Sequence, residues 1–299
     1  MDKMICYDNE WFTGAHYIKE GGHYAFAIYG YIQYQAPYSK NITTSLDDIA
    51  TVFGMGIGRR LTLSKLKDAI KFLQQKGMVE LYTEHRFKEV ADSRYIDTLK
   101  GKSSLYIKIK NEPKERYTLI KYEEFEKILF EEDITANLRV ELMCYFSAII
   151  FHINDNTKIC FPAINLLNSE ACVGKDSTCT THNKRLVDMK LIAYKSVGYT
   201  HYKTGEQLPY HYSRPEHALL LQAEIEAKRA IYRVHALSQT KTDIVNEMRR
   251  QANKITKGKQ KLERMEQDGI SLDAKTVHDV QIAETMYEAL TTRLKELNE

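Results

Sequence analysis

From His23 onward apolar and aromatic residues crowd almost every position of "HYAFAIYGYIQYQ", which predicts a buried helix. After a polar break, "TTSLDDIATVF" returns to helical spacing as a short second helix, with Ser45 and Asp48 placed as in a capping box. "TLSKLKDAIKFLQQKGMVELYTE" predicts a third helix that runs into a strand, and the wing that follows is long, roughly "ELYTEHRFKEVADSRYIDTLKGKSSLYIKIK".

The same succession returns farther along. "LRVELMCYFSAIIFHI" predicts a strongly apolar helix, and "FPAINLLNSEAC" a short one with Phe161, Ile164, Leu167 and Cys172 as candidate core residues. Val173 and Gly174 supply a turn. In "KDSTCTTHNKRLVDMKLIAY", with Asp176 or Ser177 as cap, Cys179, Leu186, Met189 and Ile192 share one side of a helix and its exit. Lys175, Thr178, Thr180, Thr181, Asn183 and Lys184 fall mostly on the other. "LIAYKSVGYTHYKTGEQLPYHYS" alternates and turns at Gly198 and at Thr204 and Gly205, as a hairpin would.

Helix, helix, turn, helix, hairpin is the order of a winged helix-turn-helix domain, whose polar third helix lies in the DNA major groove. Two occurrences carry more weight than one. Leu73 matches Leu186, and Met78 and Val79 match Leu191 and Ile192, at a spacing of about 110 residues that suits duplicated domains better than a solenoid. The first copy has the longer turn, "GMGIGRR", with Arg59 and Arg60 just before its third helix.

Beyond Pro215 the chain has no proline, tryptophan or phenylalanine and is rich in Ala, Glu, Lys, Gln and Arg. Ile244, Met248, Ile255, Leu262 and Met265, then, after "QDGIS", Val277, Val280, Ala283, Leu290, Leu294 and Leu297, recur at helical intervals. Two helices folded into a hairpin are expected, packing on each other or on another chain. The fold class is therefore mainly α with small β-wings: two tandem winged helix-turn-helix domains, 1–111 and 112–214, joined at "KNEPKER", and a helical hairpin or coiled-coil tail, 215–299.

Composition narrows the function. An apolar fraction of 43% is that of a globular protein. No run reaches the length of a membrane span, and "MDKMICYDNEWF" lacks the apolar core of a secretory signal, so a cytoplasmic protein without membrane partners is expected. A net charge of +3 permits nucleic-acid binding without demanding it, so the placement of the charges decides. They gather at the third helices and the second wing. Candidate DNA contacts are Arg59, Arg60, Lys65 and Lys67 in the first copy, and Lys175, Ser177, Thr178, Thr180, Thr181, Asn183, Lys184, Lys195, Tyr202 and Lys203 in the second. The cations suit phosphates; Thr180, Thr181 and Asn183 suit base edges, with Asn183 alternatively turned inward.

Other chemistry finds less support. The five cysteines are scattered, with no CxxC pair. Cys172, Cys179 and His182 would need a fourth ligand to hold a metal, and Cys179 fits core packing better. His201 and His211 lack the histidine-hydrophobic-histidine triplet of a strand-nicking enzyme, and "FGMGIGRR" lacks the GKT or GKS of a nucleotide-binding loop. No catalytic constellation, metal or cofactor is expected.

Over about residues 10 to 215, through "SLDDIA", "LSKLKDAIKFLQQKGMV", "FPAINLL" and "STCTTHNKRLVDMKLI", the chain resembles the tandem winged-helix plasmid and phage replication initiators of bacteria. The DnaD-like primosomal proteins are a more distant likeness. The resemblance implies binding to repeated origin sequences in double-stranded DNA, exchange between dimer and monomer, recruitment of host replication proteins, and association with the nucleoid or a plasmid. The tail departs from the simplest form of that family and offers a surface for a homodimer through 215–299. Two further readings stay open: a winged-helix transcriptional regulator, and a non-enzymatic protein-interaction module.

Overall fold

The computed structural model describes residues 3–14, 16–36, 39–110, 117–174, 176–197, 209–237 and 241–296, without the side chains of 176, 177, 232–237, 241 and 242. The described chain is mainly helical, with small antiparallel sheets and a helical C-terminal part. It forms two compact units, Met1–Asn154 with Pro162–Ile192, and Asp155–Phe161 with Ala193–Glu299.

The first unit runs β1 (Met4–Asp8), α1 (Tyr17–Gln35), β2 (Asn41–Ser45), α2 (Leu46–Val52), α3 (Arg60–Gln75), β3 (Val79–Tyr82), α4 (Tyr95–Thr98), β4 (Ser104–Ile109), β5 (Tyr117–Lys121), α5 (Tyr122–Leu129) and α6 (Ala136–His152). After β6 (Ile159–Cys160), which belongs to the second unit, it resumes with α7 (Ile164–Glu170) and α8 (Asp176–Asp188). The unbroken apolar run of α1 has its reason in burial, since every residue from Ala25 to Ile32 is enclosed. Tyr7 stacks on Phe26 with ring centres 3.9 Å apart. Gly30 lets that layer close, because a Cβ there would stand 2.0 Å from the Tyr7 hydroxyl.

Ser45 caps α2, its hydroxyl accepting from the Asp48 amide at 3.0 Å, so one free N–H of the first turn is paired. β2, β3 and β4 form a sheet in the order β2-β4-β3, with Ser45 opposite Ser104 and Val79 opposite Ile109.

Helix ends repeat residue for residue. After α3, Gly77 takes φ 68°, and the amides of Lys76, Gly77 and Met78 donate to the carbonyls of Phe72, Gln74 and Leu73. After α8, Lys190 takes φ 56°, and Met189, Lys190 and Leu191 donate to Arg185, Val187 and Leu186. A second match joins α2 to α7: Phe53, Gly54 and Met55 donate to Ile49, Thr51 and Ala50, while Ala171, Cys172 and Val173 donate to Leu167, Ser169 and Asn168. Each sharp turn satisfies carbonyls that a helix terminus leaves open and redirects the chain within two residues.

In the second unit, β6, β7 (Ala193–Ser196) and β8 (Tyr210–Ser213) pair in the order β6-β8-β7, the same first-third-second order as before. α9 (Ala218–Leu237) packs on β7 and β8; Leu221 and Ile225 form a small core with Ile159 and Val197. Arg229 fixes the contact through Nε to the Val197 carbonyl at 3.1 Å and Nη2 to that of Ser196 at 2.8 Å. α10 (Lys241–Gln267) and α11 (Ala274–Glu296) lie along each other, with Gly258 against Val280 and Ile244 buried with Leu290.

Some expectations change. Phe161 is not core: it is 58% exposed, stacked on the His211 ring at 5.2 Å with Lys228 Nζ 4.3 Å from its centre. Leu167 is buried, whereas Ile164, Cys172 and Met189 are half-buried. Each compact unit joins segments distant in the chain: β1 pairs with β5 in the first, and α9 shares a core with β7 in the second. Gly198, Thr204, Gly205 and Leu297 lie outside the described residues. No helix among the described residues is long and apolar enough to cross a membrane.

Candidate nucleic-acid interface

α8 is two-faced. Cys179, His182, Asn183 and Leu186, at helical spacing, are buried, and Thr180, Thr181, Lys184, Val187 and Asp188 are exposed. Thr178 is half-buried at the edge. The Cys179 thiol donates to the Asn168 side-chain oxygen on α7. Asn183 turns inward: its Oδ1 accepts from the Tyr145 hydroxyl at 3.1 Å, on α6. Of the two placements expected for Asn183, toward base edges or turned inward, the inward one is found, and a buried amide engaged by a tyrosine does not face a groove.

Next to it, His182 meets the Tyr145 ring edge-on at 5.4 Å. Burial, then Arg185 and His23, push the imidazole down to about 4, so it stays neutral near pH 7. Glu141 Oε2 stands 3.8 Å from Nε2, too far for a hydrogen bond. Among the described residues no group of three His, Cys, Asp or Glu side chains is arranged to hold a metal.

α3 buries Thr62, Leu66, Ala69, Ile70 and Leu73 and turns Arg60, Leu61, Ser64, Lys65 and Asp68 outward. Arg59, at the cap position, is exposed with extended backbone, and its side chain folds back over Gly56, where a Cβ would come 2.6 Å from its Cδ and Nε. Lys65 Nζ lies 5.5 Å from the centre of the Tyr24 ring. Lys67 is turned aside: Nζ donates to the Asp97 carbonyl on α4 at 2.9 Å, and Lys71 pairs with the Asp97 carboxylate at 2.6 Å. Lys195 on β7 likewise donates to the Gln222 side chain on α9.

The candidates therefore sort by position. Arg59, Arg60, Lys65, Thr180, Thr181 and Lys184 are exposed; Lys67 and Lys195 are engaged by neighbours; Asn183 is inside. Lys175, Tyr202 and Lys203 lie outside the described residues, as does the Ser177 side chain. Sequence reasoning missed the outward Leu61 and Ser64, and also Arg86, Lys88, Arg94, Lys100 and Lys102, all exposed between β3 and β4. Their signal was a cation every few residues in "HRFKEVADSRYIDTLKGK". No protein-family model matches the chain, and no curated protein is significantly similar to it.

Proposed function

We propose that the protein binds double-stranded DNA sequence-specifically through two winged-helix domains and acts as a plasmid or phage replication initiator. The observation that supports this reading is the order along the chain: helix, strand, helix, helix, strand, strand recurs, interrupted in the first succession by the short α4 between β3 and β4, with the strand order first-third-second both times and a third helix that is apolar inside and polar or cationic outside. In that arrangement α3 and α8 are the groove-entering helices. Arg59, Arg60, Lys65 and Lys184 engage phosphates, Thr180 and Thr181 reach base edges, and the cations between β3 and β4 follow the adjacent backbone as a wing.

Two unlike reading helices in one chain match two unlike half-sites, the kind of composite target an origin repeat supplies. The helices of the second unit provide the surface for self-association and for host replication proteins. The test is selection of plasmid and genomic fragments by the purified protein at two salt concentrations. Enrichment of short repeats beside an AT-rich segment is the expected result. Enrichment confined to promoters points to a transcriptional regulator, and no enrichment at either salt to a protein-interaction module.

A further inference from the structure

Leu61 stands on the outward face of α3 with 79% of its surface exposed, and Ile57, four residues earlier in the turn before that helix, is 58% exposed. What sets these two apart from other exposed aliphatic residues is that they stand beside the exposed Arg59 and Arg60 at the start of α3. Their surroundings limit what covers them. Leu61 shares its stripe with Ser64 and Lys65 and follows two exposed arginines, and the first turn of α3 carries no acid. The occupant must therefore be anionic at its margins and apolar at discrete points.

Ile57 borders a hollow of about 530 Å³ that Asp47, Asp48 and Lys102 also line, so its immediate surroundings carry both signs of charge. Asp68, at the far end of the stripe, accepts from Ser64 at 3.4 Å. The cationic end of the stripe thus suits a DNA backbone and its apolar points suit something in the groove floor. In the major groove only thymine offers an apolar group, its C5-methyl.

Resting on the DNA-binding reading above, we propose that Leu61, assisted by Ile57, selects thymine by covering its C5-methyl group where α3 enters the major groove. The α3 half of the target is therefore marked by thymines, while the phosphate contacts of Arg59, Arg60 and Lys65 are indifferent to sequence. Removing one methyl should weaken binding about fourfold, the fold-change equivalent of about 0.8 kcal/mol for one methylene-sized group.

The experiment uses the full chain and its best selected fragment, made once with thymine and once with deoxyuridine in its place, which removes the methyl and keeps every Watson–Crick partner and phosphate. The unaltered protein should bind the deoxyuridine fragment about fourfold more weakly per methyl covered, with the same salt slope. Leu61→Ala, whose exposed position spares the fold, should lose most of that difference, and Leu61→Ala combined with Ile57→Ala should bind both fragments equally. Equal binding of the two fragments by the unaltered protein overturns thymine selection and leaves DNA binding standing. Failure to bind any fragment overturns both readings. A change of oligomeric state in Leu61→Ala, with the thymine preference intact, assigns the patch to a protein contact and overturns the proposal.

Discussion

The Arg139 guanidinium donates from Nη1 to the Phe53 carbonyl at 2.6 Å, joining α6 to the residue that ends α2. Its Nη2 reaches the Glu131 carbonyl at 2.5 Å and its Nε the Ile128 carbonyl at 3.3 Å. One buried cation thus ties α6 to the end of α2 and to the end of α5. Gly54, at φ 70°, makes room for it, since a Cβ there would stand 2.8 Å from Nη1.

Replacing this side chain should be costly. In Arg139→Met the apolar stem is kept and the donors are lost, and each buried carbonyl left unpaired costs about 1–3 kcal/mol. A loss of about 3 kcal/mol or more is expected, with Arg139→Lys recovering only part because one ammonium cannot span three acceptors. Urea unfolding measures it; a midpoint unmoved in Arg139→Met would show the bonds to be dispensable.

His182 makes stability depend on pH. The enclosed imidazole, 2% exposed, takes up a proton only near 4 in the folded chain, against about 6.5 when unfolded. Between those values the unfolded chain binds more protons, so the stability present above about pH 6.5 falls as pH drops toward 4. Glu141 at 3.8 Å would welcome the charge; Arg185 and His23 oppose it. Asp273, held down to about 2 by Thr276 and Lys261, titrates below this window. His182→Phe, which keeps an aromatic ring beside Tyr145, should lose less stability between pH 7 and pH 5 than the unaltered protein. An equal drop in both would place the acid sensitivity elsewhere.

The equivalent turns after α3 and α8 make a paired prediction. Gly77 and Lys190 hold the same left-handed backbone, but only glycine does so without strain. Lys190→Gly should stabilise by about 1 kcal/mol and Gly77→Ala should destabilise by a similar amount, the left-handed penalty being about 1–2 kcal/mol for a side-chain-bearing residue. Thermal melting of the two variants decides, and shifts of the same sign would contradict it.

What the sequence revealed was local. The match of Leu73, Met78 and Val79 to Leu186, Leu191 and Ile192 was legible because six buried side chains impose it, and the Ser45 cap because its partner lies three residues away. The misses are long-range. β1 pairs with β5 more than a hundred residues on, with no pattern in either segment to name its partner. Lys67 and Lys195 look like any surface cation until Asp97 and Gln222 come to meet them. Phe161 looks like core, and becomes a platform for His211 and Lys228 only once β8 and α9 are in place. Asn183 has the same polarity as its exposed neighbours, so only the 3.6-residue phase from Cys179 to Leu186 distinguishes it.

That phase separates two kinds of variant on one helix. Thr180, Thr181 and Lys184 are exposed, so changing all three to alanine should leave the unfolding free energy within about 0.5 kcal/mol per site while weakening specific DNA binding. Losing the Lys184 charge should also lower the magnitude of the salt slope by about 0.9, one phosphate's share. Asn183→Ala should do the reverse. It removes the acceptor of the buried Tyr145 hydroxyl and lowers stability by about 1–3 kcal/mol, yet at equal folded protein it keeps the same preferred sequence. The two readouts, urea midpoint and selected sequence, therefore move in opposite variants. A changed sequence preference in Asn183→Ala with unchanged stability would mean that the amide faces DNA after all.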